Sequence, residues 1–221
     1  MKPLLLLPAF WTLFSLAATV SAAPQTLVQL GGGQPRASRL SESVVVIIDA
    51  QREYLPSGRV PLAGIDAALS EIDRLLQRAR AAHVPIIHIQ HLSPADSRLF
   101  AAGSPGAEFA PGAQPLAGET VIPKQRPSAF AGTTLAESLQ RLGRRELILA
   151  GAMTHMCVST TARAAIDHGY HVTVVANACA TRDLPDLRGA TAPAETVHRV
   201  ALAELADRFA TVVASTTDLP N

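Results

Sequence analysis

Val44-Val45-Val46-Ile47-Ile48 is an unbroken β-branched run that ends in Asp49. A strand with one wet face alternates apolar and polar residues. A run without alternation has both faces buried, as in the middle of a parallel sheet. Parallel neighbours cannot be joined by a tight turn, so each pair needs a long crossover, usually a helix. This one segment therefore calls for an α/β protein.

The rest of the chain supplies the crossovers. Over residues 64–82, Ile65, Leu69, Ile72, Leu76 and Ala79 recur at steps of four and three, which makes a helical stripe. Strands are expected at 84–90, 119–123, 145–150, 171–176 and 209–213. Helices are expected from Thr133 or Thr134, as cap, to Leu142, from about Thr154 to Gly169, and at about 192–207. Gly143 and Gly169 stop the first two. Six strands joined by helices imply a six-stranded, mostly parallel sheet covered on both faces, a three-layer sandwich. The loop at 91–118 holds four prolines, and an ordered loop of that length is usually functional.

The chain has 221 residues, enough for one domain, and 48% of them are hydrophobic, which excludes bulk disorder. A formal net charge of +1 leaves no basic excess for nucleic acid. Two cysteines cannot build a disulfide framework.

Residues 1–22 read as a secretory signal peptide. Lys2 supplies the positive end, an apolar stretch follows, and Val20-Ser21-Ala22 places small residues before a cut after Ala22. The expected destination is a periplasm or the outside, with no membrane attachment after cleavage. Residues 23–43, with Gly31-Gly32-Gly33 and Pro35, read as a flexible linker, and residues 44–221 as the folded domain. The glycine run follows no strand and lacks a P-loop ending.

In an open parallel sheet, ligands bind at the carboxyl ends of the strands. Three residues there carry chemistry. Asp49 ends the first strand, where burial raises a carboxyl pKa toward a working acid or base. Lys124 follows the third strand. The chain holds 17 arginines but only two lysines, and Lys124 is the one left after loss of Lys2. Cys157 lies in the first turn of a helix, where unpaired N–H groups lower a thiol pKa. Each has a plainer reading: a turn-capping Asp, a leftover Lys and a buried structural Cys.

Taken together, VVVIIDAQREY (44–54), GETVIPKQRPSAFAGTTL (118–135) and GAMTHMCVSTTARAAIDHGYHVTVVANACATRD (151–183) resemble the isochorismatase-like cysteine hydrolases across residues 44–213. The resemblance implies a Rossmann-like sheet and a triad of Asp49, Lys124 and Cys157. It also implies a non-proline cis peptide at Ala152–Met153, with the Met153 and Cys157 amides as oxyanion hole. The activity implied is hydrolysis of a small amide through a thioester. Alternatives are an isochorismatase-type vinyl-ether hydrolase using Asp49, and a non-catalytic small-molecule-binding domain. Tyr54, His91, Phe130 and His155 are candidate substrate contacts, and Thr154 a candidate cap of the Cys157 helix. Nicotinamidases of this family hold a metal through an Asp-x-His motif that is missing here, so neither metal nor cofactor is expected. Relatives are commonly dimers or tetramers, which implies a homo-oligomer. Export is unusual for the family. Cys179, the second cysteine, is expected to be inert, with a Cys157–Cys179 disulfide as the alternative in an oxidising compartment.

Overall fold

The computed structural model describes residues 23–221. The signal peptide read at residues 1–22 lies outside the described residues. A short helix α1 (Leu27–Leu30) precedes β1 (Ser43–Ile48), α2 (Ile65–Ala81), β2 (Ile86–His91), β3 (Thr120–Lys124), α3 (Leu135–Leu142), β4 (Glu146–Ala152), α4 (Ser159–Asp167) and β5 (His171–Ala180). A two-stranded antiparallel ribbon, β6 (Leu184–Pro185) with β7 (Thr191–Ala192), leads into α5 (Ala194–Arg208) and β8 (Thr211–Val213). The main sheet runs β3-β2-β1-β4-β5-β8, and every pair in it is parallel. This is the Rossmann-like three-layer sandwich expected from the sequence.

Both faces of β1 are buried, for the reason its composition gives. Val45 and Ile47 pack with Leu69, Ile72 and Leu76 of α2, while Val44, Val46 and Ile48 pack with Leu139 of α3, Ala162 of α4 and Leu205 of α5. Each buried Val or Ile side chain contributes roughly 1.5–3 kcal/mol by leaving water. Gly143 ends α3 in the left-handed conformation, as expected.

Two strands run further than their composition shows. β4 continues through Gly151 to Ala152, and β5 through the small residues Ala176 to Ala180. Their register shifts between Leu149 and Gly151. Gly151 is required: a Cβ there would lie 1.9 Å from the Ile48 carbonyl oxygen. A side chain would push β4 away from β1 just below the functional edge.

The stretch expected to be a flexible linker is pinned to the domain instead. Ser38 is buried and its N–H donates to Thr173 Oγ1 at 2.7 Å. Arg36 pairs with Glu146 at 2.7 Å, and the Leu40 N–H donates to the Pro220 carbonyl at 2.9 Å. Its glycines and polar residues look unstructured in composition. Its partners come from distant strands and the C-terminus, which composition does not reveal.

Candidate active site

Sheet order puts the carboxyl ends of β3, β2, β1 and β4 side by side. Each brings one group. Lys124 is the last residue of β3 and is in register with His91, the last of β2. Asp49 directly follows β1, and its φ of 50° turns the chain out of the strand. Asp accepts that conformation more readily than most residues. Cys157 sits in a wide π-helical turn, Thr154–Val158, between β4 and α4.

The Lys124 ammonium joins them. It lies 2.7 Å from Asp49 Oδ2, and both side chains are fully buried. It donates to Cys157 Sγ at 3.3 Å, to His91 Nδ1 at 3.1 Å and to the Arg126 carbonyl at 3.1 Å. An ammonium has no lone pair, so Nδ1 of His91 accepts and the ring proton sits on Nε2.

Burial raises the Asp49 carboxyl to about 6, against the opposing pull of Lys124. The expectation of an acidified thiol is overturned: Cys157 is pushed up to about 12, first by burial and then by the Asp49 charge, with Lys124 offsetting part. At neutral pH Asp49 therefore rests as a carboxylate and Cys157 as a thiol. His91 is pushed down to about 4 by burial and by Lys124, and so is neutral.

The Ala152–Met153 peptide is cis, as the resemblance implies. Met153 opens the Cys157 turn, where the first N–H groups of a helix have no partner within it. Thr154 does not cap that turn. Its hydroxyl is drawn to β5 and α5, donating to the Ala180 carbonyl at 3.1 Å and meeting His198 Nδ1 at 2.9 Å. His155 is tied to Thr181 Oγ1 at 2.6 Å, beside the end of β5.

Of the aromatic candidates, Tyr54 is buried beside the cluster, one ring away from His91 across Phe100; burial, then the Asp49 and Cys157 charges, raise its phenol pKa. Phe130 does not. It stacks on His168 at 4.5 Å, past the C-terminal end of α4, because the turn after Lys124 carries it away from the sheet edge. Phe100 takes the place of a second aromatic, with edge-on contacts to Tyr54 at 5.2 Å and His91 at 5.1 Å. It belongs to the proline-rich loop singled out above, but its left-handed φ of 52° leaves no mark in the sequence. Gln51 was also missed. It is fully buried, donates to the carbonyls of His91 at 2.9 Å and Ala107 at 2.8 Å, and accepts from the His91 N–H at 2.8 Å. Followed by the charged Arg52 and Glu53, it reads in sequence as part of a polar turn and carries no signal of its burial.

A cavity of about 640 Å³ opens beside Lys124, with Ser93, Pro94, Ala102 and Arg126 in its walls. Another of about 620 Å³ has Phe100 in its wall and carries Arg52, Arg59 and Arg98. Cys179 lines a separate cavity of about 440 Å³ with His198 and Thr181. Both cysteines are free thiols. Among the described residues, no three His, Cys, Asp or Glu side chains gather as a metal-ligand set.

A buried carboxylate, ammonium and thiol thus meet at the carboxyl edge of a parallel α/β sheet. The comparisons give the class, a hydrolase. Residues 43–217 match the isochorismatase domain model, so the chain belongs to the isochorismatase family and is a hydrolase. It is 41% identical over 184 residues to a secreted isochorismatase effector of Verticillium dahliae, covering 83% of this chain and 94% of the relative. The crystal structure of an isochorismatase from Pseudomonas putida superposes with a TM-score of 0.84 at 45% identity, covering 89% of this chain and 99% of the other. A ureidoacrylate amidohydrolase of Rhizobium rhizogenes is 29% identical over 171 residues, covering 62% of this chain and 70% of the relative.

Proposed function

We propose that this hydrolase cleaves the C–N bond of a small amide through a thioester on Cys157. The observation that carries the reading is the single buried ammonium 2.7 Å from a carboxylate and 3.3 Å from a thiol. Asp49, ionised above about pH 6, takes the thiol proton as Cys157 attacks the carbonyl carbon. The Asp49–Cys157 pair carries one negative charge before and after the proton moves, so Lys124 faces the same net charge throughout. The amides of Met153 and Cys157 receive the oxyanion. Protonated Asp49 then gives its proton to the leaving amine as the C–N bond breaks. Water attacks the thioester with Asp49 as base, releasing the acid and restoring the thiol. Tyr54, Phe100 and His91 line the approach to the acyl group. The relative named as an amidohydrolase supports acyl chemistry.

The test is intact-protein mass spectrometry after incubation with a panel of small primary and secondary amides. An adduct equal to the acyl group, absent in Cys157→Ala and strongly reduced in Asp49→Asn, is the expected result. The high thiol pKa favours one other reading, in which Asp49 alone protonates a vinyl ether. Turnover of such an ether that survives Cys157→Ala would replace the first proposal with this one.

Export is part of the proposal. The leader-like residues 1–22 and the secreted relative support it. N-terminal sequencing of protein recovered outside the cytoplasm should start at Ala23; a start at Met1 refutes it.

A further inference from the structure

The Lys124 side chain is fully buried, so protein atoms must satisfy its three N–H groups. Four acceptors surround it. Two change charge in the proposed reaction, Asp49 and Cys157. Two do not, His91 Nδ1 at 3.1 Å and the Arg126 carbonyl at 3.1 Å. Proton transfer from thiol to carboxylate moves negative charge away from the atom that holds the ammonium most closely. Unrestrained, a buried ammonium collapses onto the carboxylate and leaves the sulfur, because the attraction between unit charges at this range exceeds that of a thiol. Something neutral must hold it in place.

We propose that His91 is a positioning residue, which holds the Lys124 ammonium between Asp49 and Cys157 while negative charge passes from carboxylate to sulfur. This rests on the reading of Cys157 as nucleophile. The imidazole is built for the task. Gln51 holds its backbone on both sides through two hydrogen bonds, to the His91 N–H and carbonyl, and is itself anchored to the Ala107 carbonyl. The edge of Phe100 packs against the ring at 5.1 Å. Lys124 is the charged group that acts on the ring; Asp49 and Cys157 share its ammonium, and Tyr54 lies across Phe100, with Arg182 acting on Tyr54. A cationic imidazole would repel the ammonium that it must accept from, and burial, helped by the lysine charge, keeps the ring neutral. Nε2–H has no acceptor among the described residues, which leaves a donor for substrate.

The experiment needs no substrate. The mature protein reacts with methyl methanethiosulfonate from about pH 5 to about pH 9, and peptide mass spectrometry separates Cys157 from Cys179. Thiolate attack forms the methyl disulfide and expels methanesulfinate, so the rate follows thiolate population. Wild type, His91→Phe and His91→Gln are compared. Loss of the acceptor in His91→Phe should slow Cys157 at neutral pH about tenfold, one unit of thiol pKa, with Cys179 unchanged. His91→Gln, which keeps an acceptor, should recover most of the rate. Equal rates in all three folded proteins, or equal slowing in both variants, overturn the proposal. A measurement on wild type alone guards against misfolding of His91→Phe: imidazole ¹⁵N shifts should show Nδ1 unprotonated and Nε2 protonated through the Asp49 titration. A protonated Nδ1 overturns it. A protein that obeys these rules and acylates with no amide sinks the amide reading and leaves the role of His91 standing.

Discussion

Two carboxylates, the fully buried Asp49 and the half-buried Glu119, both face a cation, and they are driven in opposite directions. Glu119 takes two hydrogen bonds from Arg80, at 2.7 and 3.0 Å, one from the Leu116 N–H at 2.9 Å, and contacts His88 Nε2 at 2.8 Å. Those donors outweigh its desolvation and pull it down to about 2. Asp49 has Lys124 at 2.7 Å, yet its Oδ1 has no hydrogen-bond partner among the described residues, and burial raises it to about 6. A carboxylate saturated with donors is a structural strut. One left short of them stays near the pH where it can both accept and return a proton.

The largest expected effect is on the chemistry of the poorly solvated carboxylate. Asp49→Asn should lower the rate of acyl-adduct formation by about 10³-fold, within the usual range for losing a general base. Acylation in wild type should rise with pH through about 6, the Asp49 value. Lys124→Met should move that limb upward, because the cation that opposes burial is gone. A stopped-flow pH profile shows both; an unmoved limb would separate Lys124 from Asp49.

Stability separates the two carboxylates by sign. Asp49 is raised from 3.8 to about 6, so the folded state holds more protons than the unfolded chain between those values. Its contribution therefore falls as pH rises across that window. Glu119 is lowered from 4.5 to about 2, so its contribution is present above 4.5 and lost as pH falls toward 2. Urea midpoints should show Asp49→Asn flattening the first slope and Glu119→Gln the second. Glu119→Gln should also cost about 1–2 kcal/mol near neutral pH, since it weakens the charge-assisted pairing of half-buried Arg80. It should leave Cys157 thiolation within about twofold of wild type, the mark of a strut.

Smaller effects grade the edge itself. Gln51→Ala should cost about 1–2 kcal/mol for the buried partners left behind. It should also slow Cys157 thiolation about threefold by loosening His91. A thiolation rate equal to wild type would mean that Phe100 and Lys124 hold the ring unaided. At the opposite end of the sheet, Ser38→Ala should cost about 1 kcal/mol by removing the Ser38 Oγ that accepts from the Thr173 hydroxyl at 2.9 Å, with no change in thiolation.

Much of this was legible in residues. The β-branched run to Ile48 and the stripe of α2 forecast a sheet buried on both faces. Asp49, Lys124 and Cys157 were marked by their places after strands, and the sheet order brings them together. Other features were not legible. Phe130 looked like a pocket wall by proximity to Lys124, but the turn between them is a matter of backbone path. Phe100 and Gln51 act through partners far along the chain.

The thiol shows where the division falls. Its place at a helix start, read locally, argues for a lowered pKa; the folded surroundings raise it to about 12. The amino-acid order by itself determined which groups stand at the carboxyl edge, because hydrophobic period and strand length are local and fold them there. Only the tertiary structure decided their protonation and their partners. Desolvation depends on everything packed around a group, and donors such as Lys124 and acceptors such as His91 reach it from other strands.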